Sequence, residues 1–220
     1  HNFVLTESLM GGIAIDKTGN PLPEETLVNA LAADAVLLGA IGAPKYADPT
    51  LKVRPEQGLL GLRKALGLYA NIRPIKAYDK LVGLSPIKND RIKGADFIIY
   101  RELISGVYFG ESGRNEDNTM AFDTMCYEKH EIERIAHAAF KTAMNRRKEL
   151  CLVDKANVLE TSRLWREVSS QVVADEYPQI SLEHQLVDSC AMHLLTRPAS
   201  FDVVLTENLF GDILSDEASM

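Results

Sequence analysis

Leu150–Glu183, LCLVDKANVLETSRLWREVSSQVVADEYPQISLE, reads as strand, helix, strand. Leu150–Val153 is a short continuous apolar run that stops at the charged pair Asp154-Lys155. Apolar residues then recur at helical spacing over Val158–Glu176, and Ile180–Glu183 returns to a strand pattern. Two strands joined through a helix of this length pair in parallel, which places the chain in the α/β class.

Outward from that unit the alternation continues. Toward the C-terminus come a helix over Cys190–Leu195, a strand at Val203–Thr206 and a helix from Asp212. Toward the N-terminus lie a long helix over His130–Lys148, with Ile132, Ile135, Ala139, Phe140 and Ala143 on one face, and a strand at Asp96–Tyr100. Earlier still, Glu56–Leu68 and Leu22–Ala33 have helical patterns, the latter entered through Pro23, and Ala35–Leu38 reads as a buried strand leading into the Gly39–Gly42 loop. Gly110–Tyr127 breaks the pattern with the polar, turn-rich ESGRNEDNTMAFDT, as in an exposed loop or hairpin arm.

The 220 residues, 46% of them hydrophobic, suffice for a sizeable core in one large or two smaller domains. A formal charge of −7 excludes an extended nucleic-acid surface, so basic residues must act locally on small anions. Three cysteines without a C-x-x-C pair indicate neither a disulfide framework nor a zinc site, which makes the cytoplasm the expected compartment. No apolar run reaches the roughly 20 residues that span a bilayer. The opening HNFVLTESLMGG is not a signal peptide, and a first residue other than methionine suits a piece of a longer chain. The chain lacks G-x-G-x-x-G, a Walker loop, H-E-x-x-H and G-x-S-x-G, so an ordinary Rossmann fold is not expected. Gly11-Gly12 and the Gly39/Gly42 loop remain as turns able to approach a cofactor.

Ionisable residues gather where strands end. Arg101 and Glu102 close DFIIY, Asp154 and Lys155 close LCLV, and Asp188 precedes CAMHLL. Ligands of α/β proteins collect at the carboxyl ends of strands. Lys155, hard to desolvate beside an apolar strand unless paired, suits proton transfer. A surface Arg101–Glu102 ion pair and a capping Asp188 are the competing readings. Arg63, Arg73 and Arg101 would suit a dianionic acid if they converged, and are otherwise surface ion-pair residues. In Asn208–Ser219, NLFGDILSDEAS, Asp212 and Asp216 are four residues apart, so both carboxylates can face one hard cation. Alternatively, Asp212 caps the helix behind Gly211 and Asp216 is only solvated.

Five strings, RPEQGLLGLRKALGLYANIRP (Arg54–Pro74), RELISGVYFG (Arg101–Gly110), VDKANVLE (Val153–Glu160), HQLVDSCAMHL (His184–Leu194) and NLFGDILSDEAS, resemble the 3-isopropylmalate dehydrogenases, which belong with the isocitrate dehydrogenases among metal-dependent β-decarboxylating dehydrogenases. The resemblance runs through the whole chain in order. It implies the two-domain fold of that family with a parallel or mixed sheet, truncated. Residues 1–68 would be an incomplete cofactor-side domain and residues 69–220 a dimerisation, substrate and metal domain with an arm at about 110–127. The opening strand with its G-D-G-I-G-P turn and everything beyond the metal aspartates are missing.

The resemblance further implies NAD-linked oxidative decarboxylation of 3-isopropylmalate to 4-methyl-2-oxopentanoate, in leucine biosynthesis. Tyr108 and Lys155 match the catalytic pair. Arg63, Arg73 and Arg101 match the carboxylate-binding arginines, and Asp188, Asp212 and Asp216 the Mg²⁺ or Mn²⁺ ligands, with Asp188 also touching substrate. Leu59, Leu60 and Val158 match the apolar contacts of the isopropyl branch; Ala43, Pro44, Lys45, Glu56 and Asn157 match positions around NAD. Isocitrate-specific relatives carry polar residues in place of Leu59-Leu60, because a third carboxylate must be satisfied there. The family's site is shared across a homodimer, with Lys155 and Asp188 supplied by the partner. Neither nucleic acid nor membrane is an expected partner. RELISG departs from the common RELTGG, so Ser105 occupies a position where a glycine could have needed positive φ. Alternatives are oxidation of isocitrate, homoisocitrate or tartrate, or a dimerising, metal-binding module without activity.

Overall fold

A computed structural model describes residues 2–220. The chain divides into two compact units, one ending at Leu68 and the other running Tyr69–Met220.

The unit ending at Leu68 contains helices α1 (Gly12–Thr18), α2 (Glu24–Ala32) and α3 (Pro55–Ala65). Gly11 N–H donates to the Pro21 carbonyl (2.8 Å) and Gly12 N–H to the Ile41 carbonyl (2.8 Å), so this glycine pair fastens two loops. Ala35–Leu38, expected as a buried strand, is instead irregular and exposed, Leu37 completely so. An apolar run becomes a strand only when a neighbour takes its backbone N–H and C=O groups, and among the described residues this unit holds no strand.

The second unit holds the core. Its central sheet has the order β1-β2-β7-β5-β6, built from β1 (Ala70–Lys76), β2 (Asp96–Glu102), β5 (Glu149–Asp154), β6 (Ser181–Leu186) and β7 (Val203–Thr206). All pairings are parallel except that of β1 with β2. Helix α4 (Asn89–Ile92) is a single turn before β2. Helices α5 (Lys129–Met144) and α6 (Glu160–Glu176) cover one face, where Tyr100, Leu150, Leu152, Val203 and Leu205 meet Ile135, Phe140 and Trp165. The opposite face presents Phe97, Ile99, Cys151, Val153 and Val204 to α7 (Val187–Thr196) and α8 (Asn208–Glu217) through Cys190, Leu194 and Leu214. Both faces being covered explains why these strands read as apolar runs without polar alternation.

Strand β1 was not legible because Pro74 sits inside it. Proline is tolerated in an edge strand, where its missing N–H breaks no ladder bond, and β1 is such an edge. Helix α5 ends at Met144 rather than Lys148, with Lys148 in the left-handed region (φ 63°). Strands β3 (Ser112–Arg114) and β4 (Ala121–Asp123) form an antiparallel hairpin within the expected arm. Among the described residues no helix is long and apolar enough to cross a membrane.

Candidate active site

Arg101 ends β2 on the face covered by α7 and α8 and is almost entirely buried. Its guanidinium donates through Nε (3.1 Å) and Nη2 (2.8 Å) to Asn208 Oδ1, and through Nη1 to Asp212 Oδ1. Tyr108 donates its hydroxyl to the other Asp212 oxygen (2.8 Å). Its ring lies 5.7 Å from the Arg101 guanidinium carbon. Burial, and then the bond to Asp212, push the Tyr108 phenol up to about 12. Arg101, Tyr108 and Asp212 therefore form one constellation at the carboxyl ends of β2 and β7. The surface Arg101–Glu102 ion pair does not form. Glu102 is buried on the opposite face, accepting from Ser105 N–H (2.8 Å) and Arg134 Nη2 (3.3 Å), with burial raising its pKa.

The helix behind this constellation begins earlier than its sequence suggests. Glu207, not Asp212, is the N-cap of α8, accepting from Leu209 N–H (3.0 Å) and Phe210 N–H (2.7 Å). Glutamate is not among the favoured cap residues, so the start carried no signal. Asp212 and Asp216 consequently lie in successive turns of the helix, Asp212 half-buried and Asp216 exposed. Gly211 is required just before Asp212: a Cβ there would sit 2.5 Å from Arg101 Cγ.

A second constellation stands at β5 and β6. Lys155 Nζ pairs with Asp188 Oδ1, and this bond holds the Asp188 carboxyl below its ordinary range. Asp188 is the second residue of α7. Asp154, buried, takes both bonds of the Arg166 fork (2.6 and 3.0 Å) and the Ala156 N–H, which fixes the turn carrying Lys155, Asn157 and Val158. Asn157 and Val158 are exposed. Strand order separates the two constellations by up to three strand intervals, roughly 14 Å. Among the described residues no three His, Cys, Asp or Glu side chains converge as a metal set, so Asp188 does not join Asp212 and Asp216 within one chain.

Arg73 on β1 donates to Asn71 Oδ1 (2.6 Å), and the register sets Asn71 opposite Arg101, so all three share a sheet face. In the other unit, Leu59, Leu60 and Arg63 are half-buried on α3 and Glu56 is exposed in its first turn. Lys45, beside Ala43 and Pro44, pairs with Asp16 (2.5 Å), which also accepts from Tyr46 (2.7 Å). Ser105 is extended (φ −134°), and the positive φ falls on Gly106 (77°), so the serine is accommodated. Sequence reasoning missed Asn208, Tyr127 and Glu207. Tyr127 donates to Glu207 Oε2 (2.9 Å) and accepts from Asn208 N–H (2.9 Å), all three being buried. Burial pushes both the Tyr127 phenol and the Glu207 carboxyl up.

A mostly parallel sheet with an antiparallel edge, cationic groups at its strand ends and two helix-borne aspartates place the chain among α/β proteins whose polar groups gather at the carboxyl ends of the strands. The chain belongs to the isocitrate/isopropylmalate dehydrogenase family, whose model matches residues 1–220. It is 56% identical over 223 residues to the 3-isopropylmalate dehydrogenase of Geobacillus kaustophilus, covering all of this chain and 60% of the relative. It is 60% identical over 210 residues to that of Lactococcus lactis, covering 95% and 59%. The isocitrate dehydrogenase of Methylococcus capsulatus superposes with a TM-score of 0.78 at 33% identity, covering 95% of this chain and 59% of that one. The chain thus spans about 60% of the length of the curated relatives it matches.

Proposed function

We propose that this chain carries the substrate and metal half of an NAD-dependent 3-isopropylmalate dehydrogenase of leucine biosynthesis. The observation that carries the proposal is the Arg101–Asp212–Tyr108 constellation, in which a carboxylate-binding fork, a cation-binding carboxylate and a proton donor adjoin. The names of the relatives support the branched substrate, and so does the apolar pair Leu59-Leu60, which offers nothing to a third carboxylate.

The donor chemistry fits a hard cation. Asp212 and Asp216 face the same side one turn apart, and an exposed carboxylate is free to take a cation that prefers oxygen. In this reading Asp188 completes the set from a second copy of the chain, as does Lys155, and the working unit is a homodimer in the cytoplasm. When bound, Mg²⁺ or Mn²⁺ draws electron density from the substrate hydroxyl and adjacent carboxylate, and NAD⁺ accepts hydride from C2.

The remaining work falls to side chains. Arg63, Arg73 and Arg101 hold the two malate carboxylates, while Leu59, Leu60 and Val158 enclose the isopropyl group. Ala43, Pro44, Lys45, Glu56 and Asn157 flank the dinucleotide. Lys155 assists removal of the hydroxyl proton. Tyr108, kept protonated by burial and by Asp212, delivers its proton to C3 after carbon dioxide leaves. A second reading, a binding module without turnover, is favoured by the strandless first unit with its exposed Leu37. Calorimetric titration of the chain with 3-isopropylmalate, with and without Mg²⁺, tests the shared premise. Metal-dependent binding is expected, and its absence would sink both readings. Turnover assays with NAD⁺ on 3-isopropylmalate, isocitrate, homoisocitrate and tartrate then separate catalyst from module and rank the acids.

A further inference from the structure

We infer that Asn208 is the positioning residue of the site, holding the Arg101 guanidinium in place by a neutral contact that adds no second negative charge beside Asp212 and so favours a dianionic ligand. The inference rests on the reading of Arg101 as a carboxylate-binding residue. Asn208 is completely buried at the first turn of α8. Its Oδ1 accepts from both Nε and Nη2 of Arg101, and its Nδ2 donates to the Ser105 carbonyl (2.9 Å) in the segment that leads to Tyr108. Its backbone N–H is held by the Tyr127 hydroxyl, itself held by Glu207. One side chain thus joins the end of β2, the Tyr108 segment and the helix bearing Asp212.

The choice of an amide has a physical reason. A buried guanidinium needs acceptors, or its desolvation is uncompensated. A carboxylate at position 208 would supply them but would set a second negative charge on a guanidinium that already pairs with Asp212, leaving no net positive charge to attract the ligand. Asn208 satisfies two N–H groups without charge, and Asp212 takes one more on Nη1. A guanidinium has five N–H groups, so one remains on each Nη nitrogen for a ligand oxygen.

The test compares the wild-type chain with Asn208→Leu, similar in volume but without acceptors, and Asn208→Asp, which keeps the acceptor. Two quantities are read. One is hydrogen exchange of the Arg101 Nε–H by NMR, assigned through Arg101→Lys; the other is calorimetric affinity for 3-isopropylmalate with Mg²⁺. We expect a slowly exchanging Nε–H in the wild type, lost in Asn208→Leu and retained in Asn208→Asp. Affinity should fall about tenfold in both variants, through lost orientation in the first and the second negative charge in the second. A fast-exchanging Nε–H in the wild type overturns the inference even if Asn208→Leu fails to fold. So does a folded Asn208→Leu whose Nε–H stays protected. If the wild type binds no 3-isopropylmalate while Asn208→Leu releases the Nε–H, positioning stands and the carboxylate role of Arg101 falls.

Discussion

Asp212 divides its two oxygens between the Arg101 guanidinium and the Tyr108 phenol, and in the proposed site it also binds the divalent cation, so neutralising it has two expected consequences. Asp212→Asn keeps the shape and removes the charge that favours the Tyr108 proton. The Tyr108 midpoint is therefore expected to move down from about 12 toward the ordinary tyrosine value, followed by ¹³C NMR of the ring. An unmoved midpoint would mean burial alone sets it. The same variant is expected to weaken Mg²⁺ binding by about tenfold or more, measured by calorimetry, since a neutral amide is a poorer ligand for a hard cation. The spacing of Asp212 and Asp216 was visible in the sequence because it lies within one helix. Asn208, Tyr127 and Glu207 were not visible, since the partners of Tyr127 lie about 80 residues along the chain and only folding brings them together.

Among the elements, α8 packs closely against Arg101 through Gly211. Gly211→Ala would gain about 1 kcal/mol of helix propensity, but its methyl would press on the inner methylenes of a buried arginine that cannot swing aside. Overpacking of that kind costs roughly 1–3 kcal/mol, so a net loss of stability is expected in urea unfolding, with Asp212 displaced. A stabilised variant would show that α8 can slide. At the opposite end of the sheet, Arg146 just beyond α5 binds Asp96 at the start of β2 (2.7 Å) and Asp202 before β7 (2.7 Å). Arg146, then Lys76, holds the Asp96 carboxyl below its ordinary value. A depressed carboxylate contributes stability that is complete above its unfolded pKa and is lost as pH falls through the folded one. Asp96→Asn is thus expected to lower stability at neutral pH and to flatten its decline below about pH 4, read from thermal melts across an acid series. Parallel melting curves at every pH would remove Asp96 from that role. At this scale the long helices and parallel strands were legible because both faces of the sheet are covered. Strand β1 was hidden by Pro74, and Ala35–Leu38 was misread because periodicity cannot tell whether a neighbouring strand is present.

For the whole molecule, the separation of Lys155–Asp188 from Arg101–Tyr108–Asp212 along one sheet edge predicts complementation between copies. If, as proposed, Lys155 and Asp188 act from a second copy, chains carrying Lys155→Met and chains carrying Asp212→Asn in catalytically active protein are expected to regain about half the wild-type activity per heterodimer, because one of the two sites would then be intact. Verified heterodimers without activity would place Lys155 in its own chain's site. From the sequence came the α/β class, the order of most elements and the paired aspartates, all consequences of residue spacing within single helices and strands, where geometry is local. Tertiary structure alone decided that Arg101 is buried against Asn208, that Glu207 starts α8, and that Asp188 meets Lys155 rather than the other aspartates. Those contacts depend on strand order and on which helix covers which face, and neither is encoded in local periodicity.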